Sequence, residues 1–497
     1  MRELFEYYEA VRQIQLKGNP RILVVGSGIG GLCMAAKLKM AGVERFKVFE
    51  KASGLGGTWR DNTYPGVACD IPSTIYDLSF FLNPDWSGTS APGAEILAYL
   101  HKLVAEYGLE ECLSFNKKVV GCRYDDGLWR VETDDGRVEN FDVVISATGF
   151  LHVPVVPKFE GLDHYQGALF HSSTWDHSVD IRNKAVGIVG TGASGVQIIP
   201  AIVDSVEELL VFQRTAQWML PYPHEKFSSE QLRERRSNPS RMLEQYSDFM
   251  KFFIENFGGG AVGDEQGLRA AQEACEANLA SVRDPQLKKC LTPNYTVLCK
   301  RIVWSNQIYG ALEKPNCKLV SEQIVRFRPD GIETSDGKLH KLDVVVMCTG
   351  FDAHVYCKRL GVLGVGGKSL EDAWADGCAS FETHSVAGFP NFFMVGGPFS
   401  PVGNAPFTLA AELSSSRILE LLKLREDAGA KAIVVTQEAQ NKFVQDLHGT
   451  QEKSVWLSGC QSWYLNRRGD IEIWSRTPSE FIDVFRRAPD LADYQLM

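Results

Sequence analysis

Hydrophobic residues fall along this chain in short unbroken runs that end on glycine. Residues 21–25 form such a run, residues 26–31 are glycine-rich, residues 32–41 are mostly good helix formers, and residues 46–50 return as a second apolar run closed by Glu50. Strand, turn, helix and strand in that order make a βαβ unit of about 30 residues, the size of one nucleotide-binding half. The same grammar recurs once. Residues 185–189 predict a strand, 190–195 a glycine turn, 196–203 a helix and 208–213 the next strand. Residues 142–149 and 342–350 predict two matched strands, ending in Ala-Thr-Gly and Cys-Thr-Gly, where the chain returns to each sheet. A short polar helix is expected over 3–15. Between 223 and 293 the character changes: 228–236, 241–256 and 265–281 have helical spacing and few strand formers, with a break at 258–260. The pattern predicts an α/β fold: two Rossmann-type dinucleotide-binding domains with a helical insertion in the second.

Composition narrows the partners. The chain has 497 residues, enough for two or three domains, with 44 % hydrophobic and 23 % charged residues, as in a soluble globular protein. Fifty-two basic against 62 acidic residues give a formal charge of −10, so nucleic acid and anionic membrane surfaces are not expected partners. The N-terminal residues have no signal-peptide h-region. The longest uncharged stretch, 385–411, is interrupted by Gly388, Pro390, Gly396, Gly397, Pro398, Pro401, Gly403 and Pro406, which excludes a membrane helix. The twelve cysteines are scattered without a CxxC pair. That removes a zinc ribbon and a thioredoxin-type dithiol, leaves no metal site and no readable disulfide framework, and points to reduced thiols in the cytoplasm.

The two glycine turns carry the chemistry. Gly26-Ser27-Gly28-Ile29-Gly30-Gly31 supplies a glycine for the tight turn, one for close approach of a pyrophosphate and one for helix–strand packing. Glu50 then stands where a carboxylate binds ribose hydroxyls, which favours a ribose without 2′-phosphate, as in FAD or NAD. In the second turn, Gly190-Thr191-Gly192-Ala193-Ser194-Gly195, the next strand ends instead in Gln213-Arg214-Thr215. An arginine and a hydroxyl at that corner suit a 2′-phosphate, so NADPH is preferred over NADH; the alternative is a surface arginine at a strand end. FAD in one domain and NADPH in the other send electrons to a disulfide or to oxygen. Cys69, without a partner cysteine beside the first unit, reads as structural, which leaves oxygen.

The segment from Gly56-Gly57-Thr58-Trp59-Arg60 to Asp70 closely resembles the flavin-side fingerprint of Baeyer–Villiger monooxygenases. Their second fingerprint, Phe-x-Gly-x-x-x-His-x-x-x-Trp-(Pro or Asp), is matched by Tyr165, Gly167, His171, Trp175 and Asp176, with tyrosine in place of phenylalanine. Trp175-Asp176 separates this branch from relatives that oxygenate nitrogen and sulfur. Phe212-Gln213-Arg214-Thr215, Cys299-Lys300-Arg301, Gly397-Pro398 and Ser462-Trp463-Tyr464 resemble further segments of the family, whereas the helical insertion is the least matched part. Trp474-Ser475-Arg476 lacks the proline that often follows that tryptophan.

The resemblance implies a flavoprotein monooxygenase that uses FAD, NADPH and O2 to convert a ketone to an ester or lactone through a C4a-peroxyflavin. Arg301 is then the catalytic cation and Asp70 the carboxylate that holds it. Read without the motif, these would be a solvated Lys-Arg pair and a turn-capping aspartate. Gly26, Ser27, Gly28, Ile29, Gly31, Glu50, Gly57, Thr58, Trp59, Asp70, Tyr76 and Val119 are expected at FAD. Gly190, Thr191, Gly192, Ala193, Ser194, Gly195, Gln197, Arg214, Thr215, Lys300, Arg301 and Trp463 are expected at NADPH. The domains expected on this reading are 1–155 and 386–497 for FAD, 156–222 and 294–385 for NADPH, and 223–293 for the insertion. An N- or S-oxygenating enzyme, or an NADPH oxidase without oxygenation, is the alternative. The ketone and the oligomeric state are not encoded in these motifs.

Overall fold

The computed structural model describes residues 1–222 and 224–497; Pro223, where the insertion was expected to begin, lies outside the described residues. Two five-stranded parallel sheets organise the chain. In the first, Phe392–Met394, Val143–Ser146, Ile22–Val25, Phe46–Phe49 and Leu113–Ser114 lie side by side in that order. In the second the order is Cys317–Val320, Glu208–Phe212, Ala185–Val189, Val344–Met347 and Ala168–His171. The central strands Ile22–Val25 and Val143–Ser146 are buried at every position, as parallel strands covered on both faces must be. Both return strands expected from the sequence pair beside the strand that leads into a glycine turn, Val143–Ser146 against Ile22–Val25 and Val344–Met347 against Ala185–Val189.

The helix after the first turn, Ile29–Met40, is apolar all round and accordingly buried, with helix Phe407–Asp427 packed against it. Lys37 and Glu412 are each hydrogen-bonded in this interior. Lys37 Nζ donates to Ser416 Oγ at 3.0 Å, and Glu412 accepts from the Ser79 amide and hydroxyl at 2.5 and 2.6 Å. A small antiparallel meander precedes each return strand: Val119–Asp125, Leu128–Thr133 and Val138–Phe141 in the first unit, Ile324–Arg328, Gly331–Thr334 and Leu339–Lys341 in the second.

Two placements differ from the expected division. Residues 355–385 were expected with the second unit, yet Val362–Leu363 pairs with Val119–Asp125, and Tyr356, Cys357, Leu360, Leu370, Trp374 and Cys378 pack with Leu23 and Val25 of the first. The apolar run after Gly350-Phe351 finds its complementary surface there. The helices inserted into the second unit also spread their apolar faces. Helix Pro239–Asn256 buries Tyr246, Met250, Phe253 and Ile254 in the core of the first unit, and helix Glu265–Leu279 buries Ala271 and Cys275 with the C-terminal residues Trp456, Tyr464 and Ile471. The insertion is a bridge between units.

Candidate active site

Each glycine turn is shaped by backbone contacts that leave no room for a side chain. A Cβ on Gly31 would lie 1.9 Å from the Gly26 carbonyl oxygen, and one on Gly195 would lie 2.3 Å from that of Gly190. Gly26 and Gly190 themselves take φ of +106° and +110°, where L-side chains are strained. The middle glycines behave differently. Gly28 meets only Gly57 Cα, at 3.7 Å, and Gly192 meets nothing within 4 Å. Both open at the N-terminus of a helix, Ile29–Met40 and Ala193–Ile202, where backbone amides and the helix dipole favour an anion. The closed flanks and open centres fit a pyrophosphate at each turn. Thr58 opens the short helix Thr58–Asp61 beside the first turn, and Gly57, with φ +53°, would bring a Cβ to 3.0 Å from Gly28 Cα.

The corners facing the turns have opposite charge. Glu50 is 5 % exposed and accepts from the Ser27 amide at 2.9 Å, the Ser27 hydroxyl at 3.0 Å and the Ala52 amide at 3.0 Å, with Arg60 Nη1 at 3.3 Å. Its carboxylate is built in. At the second turn Arg214 is exposed, and the Thr191 hydroxyl donates to the Thr215 carbonyl at 3.4 Å. Lys300 lies close enough for Arg214 to help burial push the ammonium pKa down, and its Nζ sits 4.8 Å from the centre of the Tyr295 ring. Two cations facing one corner suit a dianionic phosphate.

Arg301 and Asp70, 231 residues apart in sequence, form an ion pair. Arg301 Nη2 donates to both Asp70 oxygens, at 3.1 and 3.2 Å, and Nη1 donates to the Val402 carbonyl at 3.0 Å. The Asp70 carboxylate, above all other neighbours, holds the guanidinium protonated. Tyr464, 1 % exposed, also faces this charge, while burial pushes its phenol up to about 12. Trp59 Nε1 donates to the Tyr76 hydroxyl at 3.0 Å, fixing two aromatic rings edge to face beside the first turn. Trp463 lies against Phe150, with ring centres 5.8 Å apart.

With this geometry in place, comparison with known proteins is informative. The FMO-like family, described as flavin-binding monooxygenase-like, matches residues 19–232. An uncharacterized monooxygenase of Mycobacterium tuberculosis is 38 % identical over 93 % of this chain and 93 % of its own. A Baeyer–Villiger monooxygenase of Streptomyces coelicolor is 35 % identical over 97 % of this chain and 94 % of its own. The chain belongs to the Baeyer–Villiger monooxygenase family. Its fold agrees: the crystal structure of the OTEMO complex with FAD and NADP superposes with a TM-score of 0.86 at 26 % identity, covering 96 % of this chain and 99 % of that one.

The family's second fingerprint lies where the chain passes between units. His171 is 6 % exposed; its Nδ1 accepts from the Ser173 amide at 3.1 Å, so the proton sits on Nε2 and is donated to the Gly350 carbonyl at 3.1 Å. Burial lowers its pKa and keeps the ring neutral. His171 therefore clamps the entry and return strands of the second unit together. Tyr165 donates its hydroxyl to the Leu342 carbonyl at 3.0 Å, a bond that the family's phenylalanine cannot make. Gly167 is required because a Cβ would lie 2.5 Å from the Asp343 carbonyl oxygen. Trp175 packs on Phe170 in the second core, and Asp176 caps the following turn through the Ser178 amide and hydroxyl.

Three expectations need adjustment. Both ends of the Gln197 amide are engaged across the unit boundary: Oε1 accepts from the Tyr64 hydroxyl at 3.0 Å, and Nε2 donates to the Ala68 carbonyl at 2.9 Å. Its side chain joins the two units, and one of its two Nε2 hydrogens is used in doing so. Val119 turns its side chain into the core under the first sheet, leaving only backbone for a cofactor. The cysteines are not all reduced: among the described residues, Cys299 and Cys460 form a disulfide and the other ten, Cys69 included, are free. Sequence spacing could not pair cysteines 161 residues apart. The hint was their position, one directly before Lys300-Arg301 and the other three residues before Trp463. The Val402 carbonyl had no side-chain signal at all.

Proposed function

We propose that this chain inserts one atom of O2 beside a ketone carbonyl to give an ester or lactone, using FAD and NADPH. The balance is ketone, O2, NADPH and a proton in; ester or lactone, water and NADP+ out. Bound FAD, reduced by NADPH, activates O2 and delivers one of its atoms. The chain's own contribution centres on Arg301, and the observation that carries the reading is its attachment to Asp70 and Val402. A fixed guanidinium presents directed donors to negative charge growing on oxygen, and fixation means little reorganisation is needed as that charge appears. Asp70 is a positioning residue: it aims the guanidinium and keeps it from folding back to solvent.

The remaining assignments follow the same geometry. The amides at Gly28 and Ile29 face the FAD pyrophosphate, with Glu50 toward its ribose and Thr58, Trp59 and Tyr76 toward the flavin. The open end at Gly192 takes the NADPH pyrophosphate, while Arg214, Thr215 and Lys300 take its 2′-phosphate. Trp463 covers the nicotinamide side and keeps water from the reacting oxygen. In domain terms, the first unit and residues from about 355 onward hold FAD, and the second unit holds NADPH. No described helix is long and apolar enough to cross a membrane, and a cytoplasmic location is part of this proposal.

The test is product analysis under ¹⁸O2 with NADPH and a panel of cyclic, linear and aryl ketones, with a sulfide and an amine as further arms. Ketone-dependent NADPH consumption that yields an ester or lactone carrying one ¹⁸O supports the reading. Consumption that yields only hydrogen peroxide, or oxygenation confined to the sulfide or amine, overturns it.

A further inference from the structure

The disulfide between Cys299 and Cys460 joins two segments that each carry a residue of the candidate active site. Cys299 stands directly before Lys300-Arg301, and Cys460 stands three residues before Trp463. Their Cα atoms are 6.3 Å apart, within the span that a disulfide bridges without moving backbone. The contact does not depend on the sulfur bond alone. The Trp456 indole donates to the Leu298 carbonyl at 3.1 Å, and the Ser458 hydroxyl lies 3.3 Å from Cys299 Sγ. The two sulfurs are therefore held near each other in either redox state.

What the bond adds is a second anchor for the segment that carries Trp463. At the far end Glu472 is held firmly: its Oε2 lies 2.7 Å from His354 Nδ1, and its Oε1 accepts from the Cys378 amide at 2.8 Å. Between the anchors the chain runs out to Arg467, Arg468 and Gly469, all exposed. With Cys299 and Cys460 joined, this stretch is fixed at both ends over Arg301. With them parted, the end nearest Trp463 is held by the noncovalent packing of Trp456 and Tyr464 and opens more readily.

We infer that Cys299 and Cys460 form a peroxide-sensitive modification site that fastens the segment bearing Trp463 to the segment bearing Arg301. The chemistry balances with hydrogen peroxide as oxidant. The Cys460 sulfur, at the edge of burial with 9 % exposure, attacks one peroxide oxygen; the O–O bond breaks, the thiol proton leaves with the other oxygen as water and a sulfenic acid forms. The Cys299 sulfur then displaces the second oxygen as water and the S–S bond forms. Two thiols lose two electrons, and one peroxide becomes two waters. A dithiol reductant reverses the step by exchange. Disulfides in reducing compartments are mostly transient ones of this sort. The other ten cysteines lack the arrangement: among the described residues none of them is joined to a second cysteine.

The inference rests on the proposed function only for the source of peroxide, which a flavin enzyme releases when electrons reach O2 without substrate. The test adds hydrogen peroxide directly, so its outcome is independent of any oxygenation. Holoenzyme is reduced with dithiothreitol, desalted, exposed to hydrogen peroxide, blocked with N-ethylmaleimide and digested without reductant. The expected result is one linked peptide pair joining Cys299 to Cys460, lost on renewed reduction. In parallel, limited trypsin cleavage after Arg467 or Arg468 should be about tenfold slower in the oxidised protein than in the reduced one. Cys460→Ser should be cut at the reduced rate under both conditions; reversal in the unaltered protein gives the same answer if that variant misfolds. Absence of the linked pair overturns the modification site. A linked pair with unchanged cleavage overturns the fastening.

Discussion

The two glycine turns are built alike and finished differently. Each has a positive-φ glycine at its start, an open glycine at its centre and a packed glycine at its end. At the first, the corner residue is a buried carboxylate with donors from Ser27 and Ala52 already around it. At the second, the corner is an exposed arginine with Lys300 nearby. On the proposed reading the backbone would select for a pyrophosphate in both, and the corner would select which dinucleotide. The first unit also wraps its turn within a single core of helices Ile29–Met40 and Phe407–Asp427, whereas the second leaves its phosphate corner open to solvent. That difference suits a cofactor that stays in one place and a reductant that arrives from outside.

The comparison breaks most visibly at the packed glycines. Gly31→Ala forces a Cβ into the Gly26 carbonyl, so the purified protein should be colourless, without the flavin absorbance of the unaltered enzyme. Gly195→Ala makes the matching clash at Gly190 and should leave the protein yellow while NADPH no longer bleaches it under anaerobic conditions. A colourless Gly195→Ala protein, still folded by circular dichroism, would show that the turns are not separable in this way.

Arg301→Ala should come next in size. Losing one preorganised donor to developing oxyanion charge costs roughly 3–4 kcal/mol of barrier, or several hundred-fold in ester formation. Flavin content should not change, since neither turn depends on the guanidinium. An ester yield close to that of the unaltered enzyme would remove Arg301 from the chemistry. A smaller and more selective loss is expected from Arg214→Ala: a charged hydrogen bond is worth about 1.5–3 kcal/mol, so KM for NADPH should rise by about ten- to a hundredfold. KM for NADH should move little. Equal shifts for both nucleotides would place the phosphate elsewhere and dissolve the contrast between the corners.

How much of this was legible follows from the range of each interaction. The turns, their flanking strands and the two return strands depend on local runs and on glycines whose reasons are local, and they stand within a few residues of where the pattern puts them. The fate of 355–385 and of helix Pro239–Asn256 depends on which core offers a complementary face, which no local period encodes. The Arg301 site divides in the same way. Its charged residues sit in recognisable motifs, but the Val402 carbonyl, the engagement of Gln197 with Tyr64 and Ala68, and the pairing of Cys299 with Cys460 are contacts between distant segments.

The smallest effect tests the one point where the chain departs from the family fingerprint. The ring of Tyr165 packs edge-on against Phe327 at 5.9 Å, and phenylalanine would keep that contact. Only the hydroxyl, bonded to the Leu342 carbonyl, would be lost. Leu342 leads directly into return strand Val344–Met347, so the bond ties the link between units to the second sheet. Removing one such neutral hydrogen bond costs about 1 kcal/mol. Tyr165→Phe should therefore lower the apparent melting temperature by about 1 °C, with flavin content and KM for NADPH unchanged. If the melting temperature holds, the hydroxyl contributes nothing to the second unit's attachment. If KM for NADPH rises as well, the link reaches the nucleotide corner, and the second turn depends on its connection to the first more than its separate construction suggests.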